Sequence, residues 1–232
     1  MAHTSLILPD GRSVQMAPET WARLSCGVLV FDAVRVFQNP AVTAATEDLG
    51  TRLRQKHAGL KPSQIPGLAE ARNLYKSFAM EPTRYRPSSE ALLRRVVAGK
   101  GLYTINNAVD ACNLASLEFL LPVGMYDLDK VRGAVTLRTG RAGETYPGIR
   151  KGTVNLADRL GLFDTDGPFG SPTSDSARTC VAAGTVRVLA VIMATAGYDA
   201  HRMTAAQDIF SGHFTAFCEA REIFRGQLGR DG

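Results

Sequence analysis

Long apolar runs are absent from this 232-residue chain. Its most apolar stretch, Val181 to Gly197, contains Arg187 and several small residues, and falls short of the roughly 20 apolar residues of a membrane span. No transmembrane helix and no membrane partner are therefore expected. The opening MAHTSLILPDGRS has no cationic start, and its apolar part ends at Pro9-Asp10-Gly11, which argues against a secretory signal and makes the cytoplasm the expected address. Cysteine is scarce: Cys26, Cys112, Cys180 and Cys218 never form a Cys-x-x-Cys pair, so their spacing suggests neither a zinc site nor a disulfide framework, and each reads as a small buried hydrophobe. The only histidines are His3, His57, His201 and His213, none near Cys112, which weakens a Cys-His nucleophile. No His or carboxylate pair has ligand spacing, so neither metal nor cofactor is expected. With 45% hydrophobic and 21% charged residues, disorder, collagen and coiled coil are excluded. The absence of repeats and of a long linker leaves one α+β domain over residues 1–232, a central mixed β-sheet flanked by helices.

Charge is present in modest excess, 27 Lys+Arg against 22 Asp+Glu, or +5. Six of the basic residues are Lys and 21 are Arg, a bias that suits phosphate recognition but also follows from a GC-rich genome. Between Arg72 and Lys100 stand Arg72, Lys76, Arg84, Arg86, Arg94, Arg95 and Lys100 against only Glu81 and Glu90. Such a patch is either a phosphate footprint or a solvated helix face.

The Val- and Phe-rich run Cys26 to Phe37 reads as a largely buried strand. Ala41–Gly59 and Gln64–Met80 read as helices separated by Lys61-Pro62-Ser63. Ser88 is expected to cap a further helix, with Glu90 in its first turn, Leu92, Leu93, Val96 and Val97 forming its buried stripe, and Arg94 and Arg95 turned outward. Val109–Phe119 reads as a helix and Ala134–Arg138 as a strand, with a strand or short helix following the turn in Thr153–Asp164. Gly167–Ser176 reads as a loop from its Gly, Pro and Ser content, and Arg178–Thr195 as strand. Phe210, Phe214, Phe217 and Phe224 place an amphipathic helix at the C-terminal end, about residues 204–226.

Chemistry concentrates in INNAVDACN (Ile105–Asn113) and LPVGMYDLDKVRG (Leu121–Gly133). Asparagine offers donor and acceptor on a short stem, so the cluster can hold a ribose, an amide edge or a water; equally, Asn106 and Asn107 can form a turn and N-cap. Together with PSSEALLRRV before them and Arg138 and Gly143-Glu144 after, these runs resemble the B3/B4 editing domain of the phenylalanyl-tRNA synthetase beta subunit. The resemblance is specific over about 60 residues from Pro87 and weaker to Thr195, giving a B3/B4-like core of about residues 70–197. It implies a freestanding relative, since the remaining domains of that subunit do not fit in 232 residues.

The resemblance further implies hydrolysis of the ester in mischarged aminoacyl-tRNA, in trans. It assigns the site asparagine to Asn113, the preceding threonine to Cys112 and the site proline to Pro122, while the site histidine falls on Gly124 and is missing. The glutamate that reads a tyrosine hydroxyl would fall within Val186–Ala196, where there is no acidic residue. In the second candidate segment, Asp164, Asp166 and Asp175 flank a Gly-rich loop, and Thr179 and Thr185 bracket small residues that can leave room for an amino-acid side chain. The expected roles are Asn113 and Asn107 in catalysis, Cys112, Pro122, Gly124, Thr179 and Thr185 around the substrate, and Arg84, Arg86, Arg94 and Arg95 on tRNA. An activated ester requires a positioned water and oxyanion donors. With no strong base evident in the sequence, the terminal ribose hydroxyl is the expected helper. The alternative is a non-catalytic tRNA- or RNA-binding module that kept the fold.

Overall fold

The computed structural model describes residues 2–61, 64–149 and 152–230; the Pro62-Ser63 punctuation lies outside them. Four strands come first, β1 (Ala2–His3), β2 (Ser5–Ile7), β3 (Ser13–Met16) and β4 (Ser25–Asp32). Helices α1 (Pro40–Lys56), α2 (Leu68–Ser77), α3 (Ser88–Val97) and α4 (Asn107–Phe119) follow. Then come β5 (Val123–Asp127), β6 (Val135–Thr139), β7 (Thr145–Pro147), β8 (Thr153–Asn155), β9 (Leu160–Asp164), β10 (Gly167–Ser171), β11 (Ser174–Asp175) and β12 (Val188–Ala194). The described chain ends with α5 (Ala200–Cys218) and β13 (Arg221–Arg230).

The fold is α+β, with its main strands divided between two sheets. One is five-stranded and antiparallel, in the order β1-β13-β4-β12-β5. The other, β11-β10-β9-β6-β3-β2, is mixed because β3 and β6 run parallel; β7 and β8 form a small hairpin. Strands β4 and β12 are buried almost throughout, because both faces of the five-stranded sheet are covered. Leu29, Phe31, Val188, Ala190 and Ile192 face the helices, while Val28, Val30, Leu189, Val191 and Met193 face the second sheet. This period-two alternation makes three layers: helices, five-stranded sheet, six-stranded sheet. On the helical side, Phe31 packs against Phe214 at 4.7 Å and Phe210 at 5.9 Å between ring centroids.

Four local expectations are corrected. Gly167–Ser176 is not a loop: it supplies β10 and β11, whose extended backbone is held by pairing to β9 and to each other. The C-terminal helix stops at Cys218, where Glu219 turns left-handed at φ 52°, so Phe224 lies on β13 opposite Val30 rather than on a helix. Residues 178–187 precede β12 as turn and irregular chain. At the start of α3, Pro87 takes the N-cap position without a side-chain cap and Ser88 is already helical.

Candidate functional site

Helix α4 begins where the Asn106 side chain accepts the Val109 N–H at 3.0 Å. From that start, Val109, Cys112, Asn113 and Ser116 recur at helical spacing and line one small cavity of about 140 Å³. Val123 and Met125 reach it from alternate positions of β5, Ser88 and Leu92 from α3, and Ser171–Asp175 close it from the β10–β11 turn. Asn113 also lines a second, larger cavity between α1 and the α3–α4 connection.

The charged group facing the small cavity is Asp175. Burial pushes its carboxyl up to about 7, with the Tyr126 hydroxyl and Met125 N–H beside it pulling weakly the other way. The Tyr126 hydroxyl is itself buried without a formed hydrogen bond. Burial, reinforced by the Asp175 charge, holds the Cys112 thiol far above the ordinary thiol range, which keeps it protonated near neutral pH. Asp175 can therefore exchange a proton near neutral pH, the requirement for acid–base work at an ester.

A protein-family model described as the B3/4 domain matches residues 70–211, more than half of the chain. The chain belongs to the B3/4 domain family. This B3/4 chain is similar to phenylalanine–tRNA ligase beta subunits. The one from Ralstonia nicotianae is 27% identical over 106 residues, covering 44% of this chain and 13% of that subunit. The one from Synechococcus elongatus is 33% identical over 125 residues, covering 51% and 15%. The chain thus spans a small fraction of the length of these curated relatives. Among solved structures, an N-terminal fragment of the phenylalanyl-tRNA synthetase beta subunit from Pyrococcus horikoshii aligns with 11% identity and a TM-score of 0.46, over 94% of this chain and 53% of that one.

Of the residues expected in the B3/4 site, Asn113 and Cys112 meet at the small cavity. The others lie elsewhere. Asn107 is fully buried: its amide donates to the carbonyls of Arg35 and Phe217, both at 2.8 Å, and its Oδ1 accepts the Phe37 N–H at 2.9 Å. It ties α4 to the chain after β4 and to the end of α5, and offers nothing to a ligand. Pro122 is buried with its carbonyl accepting the Met193 N–H. Thr179 bonds the Ser176 hydroxyl at 3.0 Å, and Thr185 donates to Asp127 Oδ2 at 2.8 Å, so both hydroxyls are spent inside the fold. Gly124 lies under the Tyr126 ring, where a Cβ would fall 2.2 Å from the tyrosine oxygen.

The basic patch is likewise redistributed. Arg94 is half-exposed and already engaged: with Arg72 it grips the carboxylate of Glu90, which is 2% exposed, through bonds of 2.7 Å. Arg95 covers the Tyr103 ring, 4.0 Å from its centroid. Arg84 and Arg86 remain exposed. Arg138 and Glu144 form a two-bonded pair at 2.8 and 2.6 Å that pins the β6–β7 turn, and Arg138 draws the Glu144 carboxyl down to about 2.

Asp175 is the residue that sequence reasoning passed over. It stood there as one of three aspartates around a supposed loop, and nothing local separates it from Asp164 or Asp166. The structure does: Asp164 is held by Arg178 through bonds of 2.8 and 2.9 Å, and Asp166 lies 3.7 Å from the same guanidinium. Asp175 lines the cavity.

Proposed function

We propose that this B3/4 chain is a deacylase that hydrolyses the ester of mischarged aminoacyl-tRNA in trans. The observation that carries the reading is the convergence of the Asp175 carboxyl and the Asn113 amide on one small, largely apolar cavity. Similarity to the tRNA ligase beta subunits supports tRNA as the partner.

In this reading the aminoacyl side chain enters the cavity past Val123 and Met125, and the ester carbonyl lies at Asn113. The Asp175 carboxylate takes a proton from a water as its oxygen bonds to the carbonyl carbon. The Asn113 amide donates to the oxyanion that forms. Collapse breaks the bond to the ribose oxygen, which receives the proton held by Asp175, releasing the free amino acid and an intact tRNA. Asp175 thus supplies a base from β11, where the sequence pattern offered none. Asn107 acts as a positioning residue that fixes the start of α4. Exposed Arg84 and Arg86 are the remaining candidates for phosphate contact. A cavity of about 140 Å³ admits one amino-acid side chain and selects by size, the logic of a second sieve.

The test is a panel of tRNAs, each esterified with a correct or incorrect amino acid, followed for ester loss against buffer. Selective deacylation that disappears in Asp175→Asn is the expected result. Retained tRNA affinity with no hydrolysis across the panel would replace the enzyme by a binding module.

A further inference from the structure

The larger cavity that shares Asn113 is a groove of about 400 Å³ between α1 and the α3–α4 connection, within the ~300–1,000 Å³ of small-ligand sites. Its lining is more polar than that of the smaller cavity beside it. Thr43, Glu47 and Arg54 face it from α1, and Lys100, Tyr103 and Thr104 from the connection. Tyr103 is 66% exposed, an unusual cost for an aromatic ring, and Arg95 covers one of its faces. A ring braced on one side by a guanidinium presents its other face as a stacking platform. Among the described residues the Glu47 carboxylate has no ion-pair or hydrogen-bonding partner for its side chain, leaving an acceptor suited to sugar hydroxyls, while Lys100 supplies a cation for phosphate.

We propose that this groove is a nucleoside subsite that receives the 3′-terminal adenosine of the tRNA, stacking its base on Tyr103 and presenting the esterified ribose to Asn113. The proposal rests on the deacylase reading and adds the route by which the acceptor end enters. The shared residue explains the arrangement: the nucleoside occupies the polar groove, the amino-acid side chain occupies the apolar cavity, and the bond to be cut lies at Asn113 between them.

The experiment measures binding apart from turnover. Trinucleotide CCA and free AMP are titrated into the protein and into Tyr103→Ala, Tyr103→Phe and Lys100→Ala, following protein NMR shifts. CCA should bind more tightly than AMP, weaken about tenfold in Tyr103→Ala and keep its affinity in Tyr103→Phe. Lys100→Ala should flatten the salt dependence. No binding of CCA, or binding indifferent to Tyr103→Ala, would overturn the subsite. AMP binding as tight as CCA would overturn its assignment to the tRNA end in favour of a free nucleotide. If CCA binds through Tyr103 but no aminoacyl-tRNA is hydrolysed, the subsite stands and the deacylase reading falls. If hydrolysis proceeds with the same KM in Tyr103→Ala, the reverse holds.

Discussion

The Tyr126 hydroxyl occupies the space that any side chain at Gly124 would need, the two residues lying on one face of β5, with a Cβ at 124 falling 2.2 Å from the tyrosine oxygen. Gly170 on β10 meets the same hydroxyl at the same distance. At the position where the resemblance places a histidine, the glycine thus leaves its volume to a tyrosine from the same strand.

Gly124→Ala should accordingly overpack the layer between the sheets and cost about 1–3 kcal/mol, read as a lowered midpoint in urea unfolding. Tyr126→Phe should change stability little, because the buried hydroxyl has no formed hydrogen bond, and should let the Asp175 carboxyl rise further by removing a group that pulls it down. A Gly124→Ala protein as stable as the parent would refute this packing argument.

Asp175 sets a pH dependence with a definite sign. Its carboxyl is raised from 3.8 to about 7 by burial, so the folded state binds more protons than the unfolded state between those values and stability falls as pH rises through that window. Asp175→Asn should therefore raise the melting temperature at pH 8 and change it little near pH 4, while abolishing ester hydrolysis. In the parent protein the rate should climb with pH through about 7, as the base loses its proton. A flat rate profile from pH 5 to about pH 9 would remove Asp175 from the proton transfer.

The two asparagines on α4 should separate cleanly. Asn113→Ala should lower kcat by about 10²–10³-fold with tRNA affinity and melting temperature nearly unchanged, as expected for loss of an oxyanion donor. Asn107→Ala leaves the Arg35 carbonyl and the Phe37 N–H without their Asn107 partner and should cost roughly 1–3 kcal/mol in denaturant unfolding. Equal losses of stability in the two variants would contradict this division.

Arginine changes in the basic patch should divide in the same way. Arg72→Ala with Arg94→Ala strands the Glu90 carboxylate in the fold and should cost about 3–5 kcal/mol. Arg84→Ala with Arg86→Ala should leave stability alone and reduce the slope of tRNA affinity against salt, measured by filter binding or anisotropy.

Features governed by a few neighbouring residues were legible in the sequence. The Asn106 cap and the helix after it, and the apolar runs of β4 and β12, follow from periodicity and local chemistry. Strands β10 and β11 were not legible, because Gly, Pro and Ser have no strand preference of their own and these residues are extended only through pairing with one another and with β9. Phe224 followed Phe217 at a helical interval, yet β4 offered it an unpaired edge and Glu219 turned the chain toward it. The raised carboxyl of Asp175 was the furthest from view. Its residue type and position were always on the page, but a carboxyl becomes a base near neutral pH only when other parts of the chain remove it from water, and that desolvation is a property of the tertiary structure alone.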